Sequence, residues 1–126
     1  MRDLGPFARR SAGRQRYRAF YDTYIASDLW RARRAAWAGW AEGQLASEPI
    51  RCLVCRQLWR LHRDDLHHCD YDRLGHEADE DLWPLCRRCH TELHDLLQAF
   101  RGYRRMPKRQ ANHLALAALQ RTRANT

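Results

Sequence analysis

The fold of this chain is decided by Cys52-Leu53-Val54-Cys55 and Cys86-Arg87-Arg88-Cys89, two Cys-x-x-Cys pairs separated by thirty residues. Each pair can turn two thiolates toward one ion, and two pairs complete a tetrahedral Zn²⁺ site. A chain of 126 residues gains stability from such a metal staple, because its apolar core is small. The sequence therefore predicts a structural zinc site held by Cys52, Cys55, Cys86 and Cys89.

Two other interpretations of the cysteines have less support. Buried cysteines can act as small apolar residues. A Cys-x-x-Cys pair can also be a thioredoxin-type redox motif, but that motif belongs to a βαβ pattern that this sequence lacks. Cys69 has no partner at ligand spacing and is expected to be a free thiol. Because no export signal is recognised, the cysteines indicate metal-binding thiolates in a cytoplasmic protein rather than disulfides.

Four histidines lie between and after the cysteine pairs, in Leu66-His67-His68 and in His90-Thr91-Glu92-Leu93-His94. On a helix that begins at the second cysteine pair, His90 and His94 are one turn apart and can bind one metal ion. In an extended segment, His67 and His68 point to opposite faces, so that one can ligate the ion while the other faces water. The pattern predicts a second, catalytic metal site.

These segments together resemble the HNH endonuclease family, in its ββα-metal form with a four-cysteine zinc site. The resemblance covers about a third of the chain, and the tandem histidine with the final His-x-x-x-His is also similar to the colicin-type nucleases. The matching residues are Cys52-x-x-Cys55, Leu66-His67-His68-x-x-Tyr71, Arg73-Leu74-Gly75-His76-Glu77, Asp81-Leu82 and Leu85-Cys86-x-x-Cys89-His90-x-x-x-His94.

The resemblance implies a role for each matching histidine. His67 and His90 would be ligands of the catalytic metal, His94 would be a third ligand as in the colicin-like members, and His68 would be the general base. Asp81 stands where the family usually has an asparagine. It can brace the loop that holds His68 or give an oxygen to the metal, and bracing is favoured because three histidines already supply ligands. A histidine-rich site favours Zn²⁺, Ni²⁺, Mn²⁺ or Co²⁺, whereas a coordinating Asp81 would shift the preference toward Mg²⁺ or Mn²⁺.

The implied activity is metal-dependent hydrolysis of DNA phosphodiester bonds by an endonuclease or a nickase, leaving a 5′ phosphate and a 3′ hydroxyl. Arg73, Arg87 and Arg88 flank the predicted site and are candidates for phosphate contacts, with solvated surface positions as the alternative. Two other functions are kept. The chain can be a non-catalytic zinc-ribbon module that binds nucleic acid, or a nuclease subunit that is active only with a protein partner bound to its C-terminal helix.

The net charge of +8 is distributed unevenly. Residues 1–48, expected to be a basic arm and a helical region, carry +4; the nuclease module at 49–100 carries −3; the basic helical extension at 101–126 carries +7. Basic segments on both sides of a slightly acidic centre are typical of a protein that grips a polyanion while its centre holds cations. DNA is therefore the expected partner, and solubilisation alone is the other interpretation of the charge.

The expected fold is α+β, with a ββα core and flanking N- and C-terminal helices. Helices are predicted over about 28–43, 87–100 and 110–121, and hairpin strands near 66–68 and 82–85. Trp30 and Trp37 on the first helix are expected in the core rather than as platforms for base stacking. No apolar run reaches the roughly 18–20 residues that a membrane span requires. Target sequence, nicking against double-strand cleavage, and oligomeric state are left open.

Overall fold

The computed structural model describes residues 18–124, so the basic arm predicted over residues 1–16 lies outside the described part. The chain divides into two compact units, Met1–Arg33 and Arg34–Thr126. The described elements are helix α1 over residues 18–25, helix α2 at Asp28–Leu45, strand β1 at Asp65–His68, strand β2 at Leu82–Leu85, and helices α3 at Arg87–Ala99, α4 at Arg101–Arg105 and α5 at Lys108–Ala124.

In the first unit, a serine cap separates α1 from α2. The hydroxyl of Ser27 donates to the carbonyl of Tyr24 at 2.5 Å and accepts from the backbone N–H of Trp30 at 3.2 Å. A serine oxygen at this position satisfies an amide that the first helical turn leaves without a partner. Tyr24 and Trp30 are both buried, with ring centroids 5.6 Å apart. The predicted start of α2 and the core position of Trp30 are confirmed.

In the second unit, the later turns of α2 pack on the loops around the hairpin. Trp37 is buried, lies edge-on to Trp59 with ring centroids 5.3 Å apart, and donates its indole N–H to the carbonyl of Asp79 at 3.2 Å. The guanidinium of Arg34 donates to the carbonyl of Leu61 at 2.7 Å. Trp37 therefore lies in the core as predicted, and these contacts hold the loops before each strand.

The two strands form an antiparallel pair in which His67 lies opposite Trp83 and His68 lies opposite Leu82. Side chains alternate along a strand, so Asp65 and His67 share one face of β1 while His68 lies on the other. A backbone hydrogen bond from Leu53 to the carbonyl of Pro84, at 3.0 Å, ties the first cysteine pair to β2. The hairpin thereby connects the two cysteine pairs to the histidines.

Helix α3 crosses the hairpin, and α5 packs on α3, around one apolar core. Leu85 and Leu93 have no exposed surface, and Ala115 of α5 is equally buried among them. The sequence left open whether the last helix docks on the module or on a partner, and in this unit it docks on the module. Helix α4 was not predicted; it begins directly after α3, because Phe100 has an extended backbone (φ −111°, ψ 123°) that ends one helix and starts the next.

The fold is α+β, as predicted, with a two-stranded antiparallel sheet and flanking helices among the described residues. Its order β1–β2–α3 is the order of a ββα unit, but membership of the HNH class stays a prediction. Nowhere between residues 18 and 124 does a helix have the length and apolar character needed to cross a membrane.

Candidate metal centres

The four predicted zinc ligands lie together. The sulfur atoms of Cys52, Cys55, Cys86 and Cys89 are all within 4.8 Å of one another, and Cys55 Sγ is 3.8 Å from Cys86 Sγ. A Zn–S bond of about 2.3 Å in a tetrahedral site puts neighbouring sulfur atoms about 3.8 Å apart. All four thiols are free of disulfide bonds. The donor set and its spacing therefore fit a structural metal ion of the zinc type.

Local backbone geometry builds this four-cysteine site. Arg56 has a positive φ of 68°, and its N–H donates to the carbonyl of Cys52 at 3.0 Å, which closes a tight turn around the first pair. Cys86 caps α3, with its sulfur accepting from the N–H of Cys89 at 3.4 Å. Burial raises the pKa of the Cys89 thiol well above its usual range. A buried thiolate here therefore needs a bound cation to compensate its charge.

The second group of ligand-type side chains comprises His67 of β1 with His90 and His94 of α3. Their ring nitrogens lie within 4.8 Å of one another, and the Nε2 atoms of His90 and His94 are 3.0 Å apart. Zn–N bonds of about 2.0–2.1 Å in a tetrahedral site correspond to nitrogen separations of about 3.3 Å. The three histidines that the sequence predicted as ligands are brought together, and they fit one metal ion.

A carboxylate orients His90. Asp65 Oδ2 lies 2.9 Å from His90 Nδ1, and this hydrogen bond lowers the pKa of Asp65, so that the carboxylate is ionised and can only accept. Nδ1 of His90 therefore carries the hydrogen, and Nε2 presents a lone pair toward His94. Histidines that bind metals generally donate their other N–H in this way. Asp65 was not predicted, although its place two residues before His67 puts it on the same strand face.

An amide orients His67. Asn112 donates its Nδ2 to the carbonyls of Cys69 at 3.1 Å and Lys108 at 2.9 Å, so its Oδ1 must be the atom 2.5 Å from His67 Nε2. Nε2 consequently donates, and Nδ1 keeps a lone pair. This buried Nδ1 has no hydrogen-bond partner in the described part of the chain. Burial lowers the pKa of His67 to about 3 and keeps it neutral, the form that binds metals. No sequence pattern pointed to Asn112.

The fourth predicted histidine lies apart from these three. His68 is on the opposite face of β1, with Nε2 2.7 Å from Glu77 Oε2, and both side chains are only 1% exposed. Glu77 belongs to the segment between the strands and is buried. The role of His68 as general base stays a prediction, because a water molecule cannot reach an enclosed imidazole until that segment moves.

Asp81 braces the segment between the strands. Its Oδ2 accepts from Arg73 Nε at 2.8 Å and from the N–H of Ala78 at 3.0 Å, and its Oδ1 accepts from Arg109 at 2.6 Å. The hydrogen bonds from Arg73 are the main reason why the pKa of this carboxyl is far below its usual range. Asp81 is thus in the bracing arrangement, away from the three histidines. It lies near Cys69 and Asp70, a third cluster of ligand-type groups in which arginines already supply the positive charge.

The three arginines predicted to contact phosphate each lie beside a carboxylate. Arg73 pairs with Asp81 at 2.5 Å, Arg88 lies 3.2 Å from Glu92, and Arg87 lies 4.0 Å from Asp65. Arg87 and Arg88 are largely exposed, so they remain accessible to a polyanion. Their contact with nucleic acid stays a prediction, and in this structure Arg73 has a structural partner.

A cavity of about 280 Å³ opens beside the histidine group. Helices α3, α4 and α5 form its walls together with the loop after β1. The residues that characterise its lining are His67, His94, Tyr71, Tyr103, Arg104 and Lys108. The cavity therefore joins two of the candidate metal ligands to cationic and aromatic side chains from the C-terminal segment.

Comparisons of the chain with protein-family models, with curated protein sequences and with solved structures gave no match. The functional argument accordingly rests on the geometry of the two candidate metal centres and on the residues around them.

Proposed function

We propose that this chain is a metal-dependent endonuclease of the HNH type that hydrolyses phosphodiester bonds in DNA. The observation that carries the proposal is the convergence of His67, His90 and His94, with Asp65 and Asn112 orienting two of the rings. A purely structural site needs four protein ligands, as the cysteines provide. Three histidines instead leave a coordination position for water or substrate, which is typical of catalytic centres.

The two centres have different tasks in this proposal. The four cysteines hold a structural zinc ion and thereby fix the start of α3, from which His90 and His94 project one helical turn apart. The histidine-bound ion, of the Zn²⁺, Ni²⁺, Mn²⁺, Co²⁺ or Mg²⁺ type, supplies Lewis-acid stabilisation of the charge that develops on phosphate oxygens. His67, oriented by Asn112, closes the site from the strand side.

His68 is the proposed general base that takes a proton from the attacking water. The Glu77 carboxylate accepts a hydrogen bond from its ring and holds it in one orientation. Because both side chains are enclosed, the segment between the strands must open when substrate binds. Asp81, through Arg73 and the N–H of Ala78, sets the resting position of that segment.

The enclosure of His68 favours one other candidate. A zinc-containing module that only binds nucleic acid needs no accessible base, and the seven basic residues without an acidic one at 101–126 suit that role. A nuclease that works only with a protein partner is a variant of the first proposal, and the exposed Leu114 of α5 is where such a partner would bind. A cytoplasmic location, where thiols stay reduced, belongs to all three proposals.

Cleavage of supercoiled plasmid with each divalent ion tests the proposal. Wild-type protein should produce nicked or linear DNA, and His68→Ala should lose about 10²–10⁴-fold of the rate, the typical contribution of a general base. His68→Gln keeps a donor for Glu77 and guards against misfolding, while His62→Ala, at an exposed histidine outside the site, is the matched control. Unchanged cleavage by both His68 variants would remove this residue from the mechanism. Intact plasmid with every ion, despite DNA binding, would favour the binding module.

A further inference from the structure

The cavity beside the histidines is lined by two cations that have no carboxylate partner among the described residues. Lys108 Nζ lies over the ring of Tyr71, 4.9 Å from its centroid, and no ion pair involves Lys108 or Arg104 between residues 18 and 124. Nearby arginines differ. Arg109 contacts Asp70 and Asp81 at 2.6 Å, and Arg123 contacts Glu92 at 2.6 Å. Those paired arginines connect parts of the fold, whereas Arg104 and Lys108 keep their donors available.

The position of these two side chains gives them a specific target. Both are exposed, and both line the same cavity as His67 and His94. Lys108 is also the first residue of the 17-residue helix α5, whose N-terminal amides add a favourable field for an anion. A group bound in this cavity would therefore meet positive charge on one side and the metal-binding histidines on the other.

The remaining walls suit a nucleic-acid strand. Tyr71 and Tyr103 supply aromatic faces, and Gln98 supplies an amide that can donate and accept hydrogen bonds. Grooves that follow a nucleic-acid strand combine cations for the phosphates with aromatic rings for the bases. Free phosphate would use the cations alone, whereas a strand would use both kinds of wall.

We propose that Arg104 and Lys108 form the subsite that binds the DNA backbone phosphate next to the bond presented to the histidines. The inference rests on the proposed nuclease function and adds a substrate-binding role for α4 and α5. The C-terminal segment then completes the site, because it supplies Arg104 and Lys108 for the strand as well as Asn112 for His67.

Fluorescence anisotropy with a labelled DNA duplex tests the subsite. The zinc-loaded chain is titrated at several salt concentrations without added divalent ion, and the DNA is checked for integrity. The double variant R104A/K108A should raise the Kd about tenfold, and the slope of log K against log salt should fall by about 1.8, at roughly 0.9 for each lost phosphate contact. The matched control R101A/R105A removes two charges from the same segment, at positions that do not line this cavity.

Each outcome separates the subsite from the nuclease proposal. Equal losses in the two double variants would overturn the subsite, because total charge would then explain the binding. If the wild type cuts no plasmid but R104A/K108A still weakens binding selectively, the nuclease proposal fails and the subsite stands. Inorganic phosphate is the competitor that distinguishes the ligands. Displacement of the duplex by phosphate at the concentration of DNA phosphate would show a simple anion site and overturn the strand assignment.

Discussion

Asn112 Oδ1 lies 2.5 Å from His67 Nε2, and this hydrogen bond joins helix α5 to strand β1 across 45 residues of sequence. The same amide donates to the carbonyls of Cys69 and Lys108, which leaves only one orientation of Asn112 that suits all three contacts. The C-terminal helix thereby determines which nitrogen of His67 faces the other histidines. A segment outside the ββα unit is thus part of the candidate metal centre.

Replacing Asn112 by alanine should weaken metal binding at the histidine site about 10–100-fold, the usual effect of removing a group that orients a ligand. The variant also leaves the buried N–H of His67 without an acceptor, which costs about 1–3 kcal/mol of unfolding free energy. Titration with Co²⁺, followed by its visible absorption, measures the affinity. Gln110→Ala, at an exposed position of the same helix, is the control. Equal affinities in the two variants would contradict the orienting role.

Asp65→Ala should lower the affinity of the same site by a similar factor, about 10–100-fold, because His90 loses the acceptor that holds its Nδ1 hydrogen. The zinc content of the four-cysteine site should stay at one ion per chain. Metal analysis together with the Co²⁺ titration separates the two effects. Asp72→Ala removes an exposed carboxylate from the loop after β1 and should change neither quantity. A loss of structural zinc in Asp65→Ala would show that the two centres are not independent.

Cys86→Ser should unfold or strongly destabilise the protein, because the structural metal contributes directly to folding free energy and Cys86 also caps α3. His90→Ala should retain the fold and lose metal binding at the histidine site. Thermal denaturation and zinc analysis of both variants test this division. Cys69→Ala is the matched control, since Cys69 is fully buried but lies outside the four-cysteine site. Similar melting temperatures for Cys86→Ser and His90→Ala would refute the assignment of structural and catalytic sites.

Stability should depend on pH through Asp81. Hydrogen bonds from Arg73, the largest cause, hold the pKa of this carboxyl below its unfolded value of about 3.9. A lowered folded pKa contributes stability that is fully present above the unfolded pKa and is lost as the pH falls toward the folded one. Asp81→Asn should therefore cost roughly 1.5–3 kcal/mol at neutral pH and less below pH ~3. Urea unfolding at pH 7, 4 and 3 measures the difference, and a constant difference would contradict the ion-pair explanation.

The elements that the sequence predicted well are those that local spacing determines. The two Cys-x-x-Cys pairs bend the backbone over four residues, and the cysteine site forms as predicted. His90 and His94 share a face because a helix repeats every 3.6 residues. His67 and His68 point apart because a strand repeats every two. Strand β2 at Leu82–Leu85 and the start of α3 at Arg87 also match the predicted bounds.

What only the tertiary structure decided is which distant groups meet these local motifs. The packing of α5 on α3 brings Asn112 to His67 and places Lys108 at the cavity. The folding of the segment between the strands encloses His68 with Glu77 and gives Arg73 to Asp81. Such contacts depend on burial and on closing long loops, which no local period encodes. The sequence therefore determined the ligand sets of the two metal centres, and the packing of the helices determined what orients the histidines and surrounds the cavity beside them.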